Sequence, residues 1–264
     1  MRLAARLAPL APSVFLASCL ASPALEPLGG FELAAAPAPE AWRELDPREL
    51  ERMLAEARAR LAPIADYRAV LETRERIGDE LFPRRVLRLA LRHSPFGVAL
   101  ETDAPPAEKG ERAWFDGSAD EPELVAETPG FFGRLVGRVS LDPEGDLALR
   151  NRRHPITDIG LLRLVEQIEQ GFEPALARAR SPRVRRADTT LAGRPARLIE
   201  AELARDPPEC ALGYRFGFDA QSGLLVYFGV AELRDDGPAL IEEYLYHDLV
   251  VNVGSTDSDF RPPE

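Results

Sequence analysis

The sequence predicts an α+β fold in which a strongly curved antiparallel sheet carries amphipathic helices on its concave face. Three observations lead to this class. About nine segments have the composition or the period-two alternation of β-strands. Short turns join most of these segments, which favours antiparallel pairing. One amphipathic helix precedes the strands and another interrupts them near the middle of the chain, where it is expected to cover the sheet.

The first helix is predicted to begin after Asp46. The run Asp46-Pro47-Arg48-Glu49 supplies an N-cap, a proline at the first helical position and an acidic first turn. Apolar residues then recur on one helical face until the helix ends near Pro63. This apolar face consists of Leu50, Met53, Leu54, Ala57 and Leu61.

The strands are predicted from alternation and from the turn residues that separate them. Alternation is clearest where Leu87, Leu89 and Leu91 are interleaved with Arg88 and Arg92, as in a strand with one buried face. A turn at 219–223 is predicted to join its two flanking strands as a hairpin. The nine predicted strands are Tyr67–Ile77, Arg85–Arg92, Arg112–Phe115, Leu124–Glu127, Leu135–Leu141, Arg194–Ala204, Gly213–Phe218, Leu224–Leu233 and Leu240–Val253.

The central helix has the clearest start. Thr157 is its predicted N-cap, and Ile156 and Leu161 are predicted to form a hydrophobic staple across that cap. Gly171 is expected to loosen the other end of the helix. If the sheet encloses a cavity, the apolar face of this helix and the strand leucines line it. The predicted cavity-lining residues are Leu87, Leu89, Leu91, Leu164, Val165, Ile168 and Phe172.

The N-terminus has the layout of a bacterial export signal. Residues 1–18 combine a positive start with an apolar stretch that is too short for a membrane span, which needs roughly 20 apolar residues. Leu16-Ala17-Ser18-Cys19 resembles a lipobox, which implies cleavage before Cys19 and a lipid anchor on its sulfur. Ser22-Pro23-Ala24 is a competing ordinary cleavage site. Residues 19–46, rich in Ala and Pro, are predicted to form a tether, 47–260 the folded domain and 261–264 a tail.

Charge and cysteine content exclude some functions. A formal net charge of −11 argues against nucleic-acid binding, which requires a basic surface. Once Cys19 is acylated or removed, Cys210 has no partner for an internal disulfide.

Sequence motifs for catalysis or metal binding do not occur. The chain has no G-x-S-x-G, H-E-x-x-H or glycine-rich phosphate loop. His247 and Asp248 could form an acid–base pair, but adjacent strand residues point to opposite faces, so a structural role is favoured. Asp257 and Asp259 could be mistaken for a metal pair, whereas Ser255–Asp257 is better explained as the cap of a terminal turn. No enzymatic activity, cofactor or metal is therefore expected.

Three basic-type side chains, Arg152, Arg153 and His154, stand directly before the central helix. The free N–H groups and positive dipole end of a helix could bind an anion there, such as a lipid phosphate. Alternatively, Arg152 could pair with Glu242 or Glu243 and lock the helix onto the sheet. The lock is favoured, because the helix dipole disfavours three cations that lack acidic partners.

Two motifs carry a family resemblance. RVSLDPEGDLALRNRRHPITDIGLLRLVE (Arg138–Glu166) and EEYLYHDLVVNVGSTDSDF (Glu242–Phe260) resemble the bacterial family called domain of unknown function 1571, over roughly Asp46–Phe260. That family is similar to the lipoprotein localisation factors LolA and LolB, in which a half-barrel sheet closed by helices shelters acyl chains.

The resemblance implies a half-barrel domain in an exported, non-enzymatic envelope protein whose partner is the acyl chain of a lipid or lipoprotein. An anchor on Cys19 implies a membrane partner as well. Leu20, in place of an inner-membrane retention aspartate, favours the outer membrane over the inner membrane. A soluble periplasmic or secreted form is the alternative. Two alternatives remain open: an envelope interaction module with a filled interior, and a hydrolase of unknown substrate.

Overall fold

The structure is a computed structural model that describes residues 31–129, 137–179, 182–203 and 211–263. The predicted signal segment, Cys19 and Cys210 lie outside these residues. The described residues form three α-helices and a sheet of 13 strands. The helices are α1 (Pro47–Leu61), α2 (Asp146–Leu149) and α3 (Leu161–Arg178). The strands are β1 (Arg43–Glu44), β2 (Asp66–Ile77), β3 (Glu80–Leu81), β4 (Arg85–His93), β5 (Phe96–Ala104), β6 (Arg112–Asp116), β7 (Leu124–Glu127), β8 (Arg138–Leu141), β9 (Arg183–Leu191), β10 (Arg194–Leu203), β11 (Leu212–Asp219), β12 (Leu225–Arg234) and β13 (Gly237–Val251).

The sheet is antiparallel and consists of two meanders. Its order is β1-β9-β10-β11-β12-β13-β2-β4-β5-β6-β7-β8, with β3 paired to β2 outside this path. Strands β4 to β8 and strands β9 to β13 each follow one another in sequence order. Within the described residues β1 and β8 end the order without pairing to each other, so the sheet is open. The predicted α+β class with a large antiparallel sheet is confirmed.

The two meanders meet where β13 pairs with β2. Tyr246 lies opposite Leu71, and Glu242 lies opposite Glu75. The register shifts between His247 and Val250, where Asp248 adopts a φ of 51°. This β-bulge interrupts the ladder locally, and beyond it β13 pairs with β2 again, with Val250 opposite Arg68.

One face of the sheet packs against α3, and α1 packs against α3 in turn. The ring of Phe172 lies edge-on to Tyr214 at 5.2 Å and to Phe216 at 5.1 Å. These aromatic contacts add to the burial of apolar area that holds the helix in place. The buried residues of the two helices are Leu50, Leu54, Ala57, Leu61, Leu161, Leu164, Val165, Ile168, Phe172, Ala175 and Leu176.

The start of the central helix differs from the prediction. α3 begins at Leu161, whereas Ile156–Asp158 form a 3₁₀ turn, so Thr157 is not the N-cap and Ile156 and Leu161 do not form a staple across it. The reason is Gly160, whose φ of 125° separates the turn from the helix. The N–H of Leu161 donates to the hydroxyl of Tyr67 at 2.9 Å, which satisfies one of the free amides at the helix start.

The other end of α3 also differs from the prediction. The helix continues through Gly171 and through an internal Pro174 to Arg178. Gly171 therefore does not end the helix. A Cβ built on this glycine meets no other atom within 4 Å, so no close contact requires glycine there.

The predicted tether is wrong for residues 31–45, which pack on the opposite face of the sheet. Phe31, Ala34 and Leu45 are buried, and β1 pairs with β9. The N–H groups of Glu32 and Leu33 donate to the carboxylate of Glu243. Composition predicted a loose segment, but buried acceptors on the sheet bind its backbone. We call residues 31–45 the strap.

Two glycine substitutions test the assigned start of α3. Gly160→Ala is expected to lower the free energy of unfolding by about 1–3 kcal/mol, because only glycine tolerates its backbone conformation. A Cβ there would also lie 2.7 Å from Leu91 Cδ1. Gly171 lies within α3, and Gly171→Ala is expected to raise the free energy of unfolding by about 0.5–1 kcal/mol. Urea unfolding measures both changes. Equal effects of the two substitutions would contradict the assignment of the helix start.

Candidate functional site

Glu242 on β13 is the centre of a polar cluster at the start of the 152–160 segment. Its Oε2 accepts a hydrogen bond from Nε of Arg153 at 2.8 Å and lies 2.9 Å from Nε2 of His154. Nη1 of Arg153 donates to the carbonyl of Arg76 at 2.9 Å. The two side chains thus join the segment before α3 to β13 and to the end of β2.

Charges within this cluster are paired. The hydrogen bond to Glu242 raises the pKa of His154 despite the opposing effect of burial. Burial alone would raise the pKa of Glu242, but the hydrogen bonds from His154 and Arg153 bring it below its ordinary value. The hydroxyl of Tyr244 donates to Glu75 at 2.6 Å, and burial raises its pKa well above 10.0, so it remains a neutral donor.

Arg152 does not form the predicted bridge to Glu242 or Glu243. Those two glutamates point to opposite faces of β13, since neighbouring strand residues alternate. Glu242 is occupied by Arg153, and Glu243 accepts from the strap. Arg152 is half-buried, and its side chain has no hydrogen bond or ion pair with another described residue. Burial lowers its pKa from the ordinary value.

The first amide of α3 and the residue before it already have partners. The N–H of Leu161 donates to the Tyr67 hydroxyl, and the Tyr246 hydroxyl hydrogen-bonds to the backbone of Gly160. An anion that bound at the N-terminus of α3 would have to displace two buried tyrosine hydroxyls. The geometry therefore disfavours anion binding at the Leu161 amide.

Behind the cluster lies a small cavity of about 50 Å³ between the sheet and α3. Leu87 and Leu164 line it, together with Tyr244 and Tyr246. Ligand pockets usually measure about 300–1,000 Å³, so this space does not hold an acyl chain. Among the described residues, side chains of the helix fill most of the space in which an apolar cavity was predicted, and Leu87 and Leu164 are the predicted lining residues that border what remains. The other predicted lining residues, Leu89, Leu91, Val165, Ile168 and Phe172, belong to the buried core.

A larger groove of about 780 Å³ lies at one end of the sheet. It is formed by the end of α1, by the turns β9–β10 and β11–β12, and by β13 beyond its bulge. Apolar side chains predominate in its lining, and Val250 at its edge is 57% exposed. These apolar residues are Pro63, Ile64, Leu191, Ala196, Leu224, Val226, Leu249, Val250 and Val251.

The sequence contains little signal for this groove. Its residues come from separate elements that a linear pattern does not bring together. The apolar run Leu249–Val251 is the one local indication, because it continues without alternation beyond the end of the buried strand. Such a run on a strand that is only half-buried predicts apolar side chains at the surface.

Asp219 at the edge of the groove is fully engaged. It accepts from Nε of Arg194 at 2.8 Å and from the N–H and hydroxyl of Ser222 at 2.7 and 2.8 Å. Burial alone would raise the pKa of Asp219, but these hydrogen bonds lower it to about 2. Its charge is thus neutralised by Arg194.

His247 also lines the groove, and two carboxylates hold it. Its Nδ1 lies 3.0 Å from Asp248 and its Nε2 lies 3.1 Å from Glu72. The expectation that His247 and Asp248 point to opposite faces is wrong, because the positive φ of Asp248 turns its carboxylate back to the ring. Within the described residues no hydroxyl or thiol hydrogen-bonds to His247.

Fold and site together define a class of protein: an open antiparallel sheet packed by helices, with an apolar groove at one end. The chain belongs to the family described as Protein of unknown function (DUF1571), whose model matches residues 64–264. The predicted family is confirmed.

Several solved structures are similar in fold. The lipoprotein LppX from Mycobacterium tuberculosis is 10% identical with a TM-score of 0.45, over 80% of this chain and 99% of that chain. A putative outer membrane lipoprotein-sorting protein domain from Vibrio parahaemolyticus is 14% identical, with a TM-score of 0.35 over 79% and 94% of the chains. A LolA superfamily protein from Nitrosomonas europaea is 10% identical, with a TM-score of 0.32 over 80% and 97%. No curated protein matches the sequence. Among the described helices, none has the length and apolar character needed to cross a membrane.

The Glu242 cluster makes a pH-dependent contribution to stability. The raised pKa of His154 means that its contribution is complete below the ordinary value of 6.5 and is lost as pH rises through the raised value. The lowered pKa of Glu242 means that its contribution is present above 4.5 and is lost as pH falls through the lowered value. His154→Gln is therefore expected to destabilise most between about pH 4.5 and 6.5, by at most about 1 kcal/mol for this partly exposed pair.

Urea unfolding across a pH series tests this expectation. NMR titration of the His154 ring provides the control, because Glu242→Gln is expected to lower its pKa. A stability difference that stays constant from acid to alkaline pH would contradict the pairing.

Proposed function

We propose that this protein is a non-enzymatic, exported envelope protein that binds the acyl chain of a lipid or lipoprotein in the groove at the end of the sheet. The observation that supports the proposal most directly is the groove itself. Its volume of about 780 Å³ lies within the usual range for ligand pockets, and apolar side chains from four parts of the chain converge on it.

Burial of a hydrocarbon chain provides the binding energy. Each methylene that moves from water into an apolar environment contributes about 0.8 kcal/mol. Ile64 on one side and Leu224, Val226 and Leu249 on the other supply such an environment. The exposed edge at Val250 gives a chain a route of entry from outside.

A role without catalysis fits the polar groups of the groove. His247 is held between two carboxylates, and Asp219 is paired with Arg194. Among the described residues no hydroxyl or thiol hydrogen-bonds to His247, and the Ser222 hydroxyl that donates to Asp219 belongs to the turn that Asp219 closes. Their contacts instead stabilise the turns that shape the groove.

A lipid anchor on Cys19 would place the groove at a membrane. We propose the outer membrane as its location, on the basis of the lipobox Leu16–Cys19 and of Leu20 after it. Cleavage at the alternative site near Ala24 would instead give a soluble periplasmic or secreted protein.

A second candidate function is an interaction module of the envelope that binds no lipid. The observation in its favour is the filled space between the sheet and α3, where the cavity measures only about 50 Å³. The two candidates differ in whether the end groove takes up an apolar chain.

Binding of a pyrene-labelled long-chain alcohol to protein purified without detergent tests the groove. Val250→Asp is expected to weaken binding about tenfold, because a carboxylate at the groove edge displaces roughly two methylenes of the chain. Val139→Asp is the matched control, since Val139 is also exposed, at 39%, but lies on β8 away from the groove. Protein that takes up no alcohol would favour the interaction module.

Membrane fractionation tests the anchor. Cys19→Ala is expected to move the protein from the membrane fraction to the soluble fraction, because the variant lacks the thiol that would be acylated. Cys210→Ala removes the other cysteine and is expected to leave the distribution unchanged. An unchanged distribution of Cys19→Ala would count against lipidation.

A further inference from the structure

Arg60, at the C-terminal end of α1, is fixed at the edge of the groove by backbone contacts. Its Nη1 donates to the carbonyl of Ser222 at 3.1 Å. The guanidinium lies flat against Gly223, where a Cβ would be 3.0 Å from Nε and 3.2 Å from Cζ. Gly223 has a φ of 69°, so glycine supplies both the turn conformation and the space for the arginine.

The charge of Arg60 is not neutralised by a nearby acid. Among the described residues no carboxylate lies within 4.0 Å of its guanidinium, including Glu56 one helical turn earlier. Arg194, the other arginine that lines the groove, is paired with Asp219. Among the described residues that line the groove, Arg60 is therefore the arginine without an acidic partner, and it lies beside an apolar surface.

Arginine has five N–H donors in a planar fork, and the carbonyl of Ser222 uses one of them. The remaining donors match the two oxygens of a carboxylate. A head group with one negative charge fits this position, whereas a phosphate monoester would carry almost two. The exposed carboxylate of Asp248 also lines the groove and would repel the additional charge.

We propose that the groove binds a long-chain fatty acid, with its carboxylate on Arg60 and its chain along Ile64, Leu224 and Leu249. This inference rests on the proposed function, since it adds the head group to a chain that occupies the same groove. It specifies a ligand class in which an anionic head is favoured over a neutral head on the same chain.

The test compares two pyrene-labelled ligands of equal chain length, one a carboxylic acid and the other an alcohol. At about pH 8 the acid is ionised, because its pKa lies far below. Wild-type protein at low salt is expected to bind the acid about three- to tenfold more tightly than the alcohol. The preference is expected to decrease at high salt, because Arg60 is solvent-exposed.

Arg60→Gln is expected to abolish the preference for the acid while leaving alcohol binding nearly unchanged. Arg52→Gln is the matched control, because Arg52 is also an exposed arginine of α1 but does not line the groove. Gly223→Ala provides a second variant, in which the added Cβ displaces the guanidinium while the charge is kept. It is expected to reduce the preference in protein that remains folded.

The outcomes separate this inference from the proposed function. Equal binding of acid and alcohol by the wild-type protein, or a preference that persists in Arg60→Gln, would overturn the role of Arg60 and leave acyl-chain binding intact. Protein that binds neither ligand would overturn the proposed function, and the fatty-acid inference with it.

Discussion

The pairing of β13 with β2 holds the two halves of the sheet together. His247 on β13 contacts Glu72 on β2, 175 residues earlier in the chain. Closing a loop of this length is entropically costly, so the two meanders must present complementary edges before the pairing becomes favourable. The start of α3 also depends on the pairing of β13 with β2. Tyr67 on β2 and Tyr246 on β13 both hydrogen-bond the backbone at the start of α3, so the helix is placed by the same two strands.

The two faces of the sheet are buried in different ways. Phe216 points toward α3, whereas the neighbouring Arg215 points to the strap and is 0% exposed. Arg215 pairs with Glu200 and donates to the carbonyl of Ala34 at 2.7 Å. Its guanidinium also lies over the ring of Phe31 at 4.4 Å. Burying charges costs free energy unless all their hydrogen bonds are satisfied, and the strap backbone supplies the partners that water would otherwise provide.

The sequence predicts those features that depend on local pattern. Alternation locates most strands, and capping residues locate α1 with its N-cap at Asp46. β9 was not predicted, because its arginines obscure the alternation and find their acids on other elements, Arg185 on β10 and Arg186 on α1. The cap of α3 was misplaced because Gly160 is held by Leu91 and Tyr67, which are distant in sequence. Likewise, the choice of Arg153 over Arg152 as the partner of Glu242 depends on the path of the irregular backbone before the 3₁₀ turn, which no local pattern predicts.

Filling of the space between sheet and helix determines where a ligand can bind. Phe172, Leu164 and Val165 occupy that space, which leaves about 50 Å³ beside Tyr244. The apolar face of α3 has to be buried, and the sheet offers a matching apolar surface. Each element therefore buries the apolar surface of the other. Within the part of the chain that the structure describes, no helix covers the end of the sheet, because α1 stops at Leu61. Apolar side chains left there without a covering element form the groove, and the arginine that ends α1 gives it a positive edge.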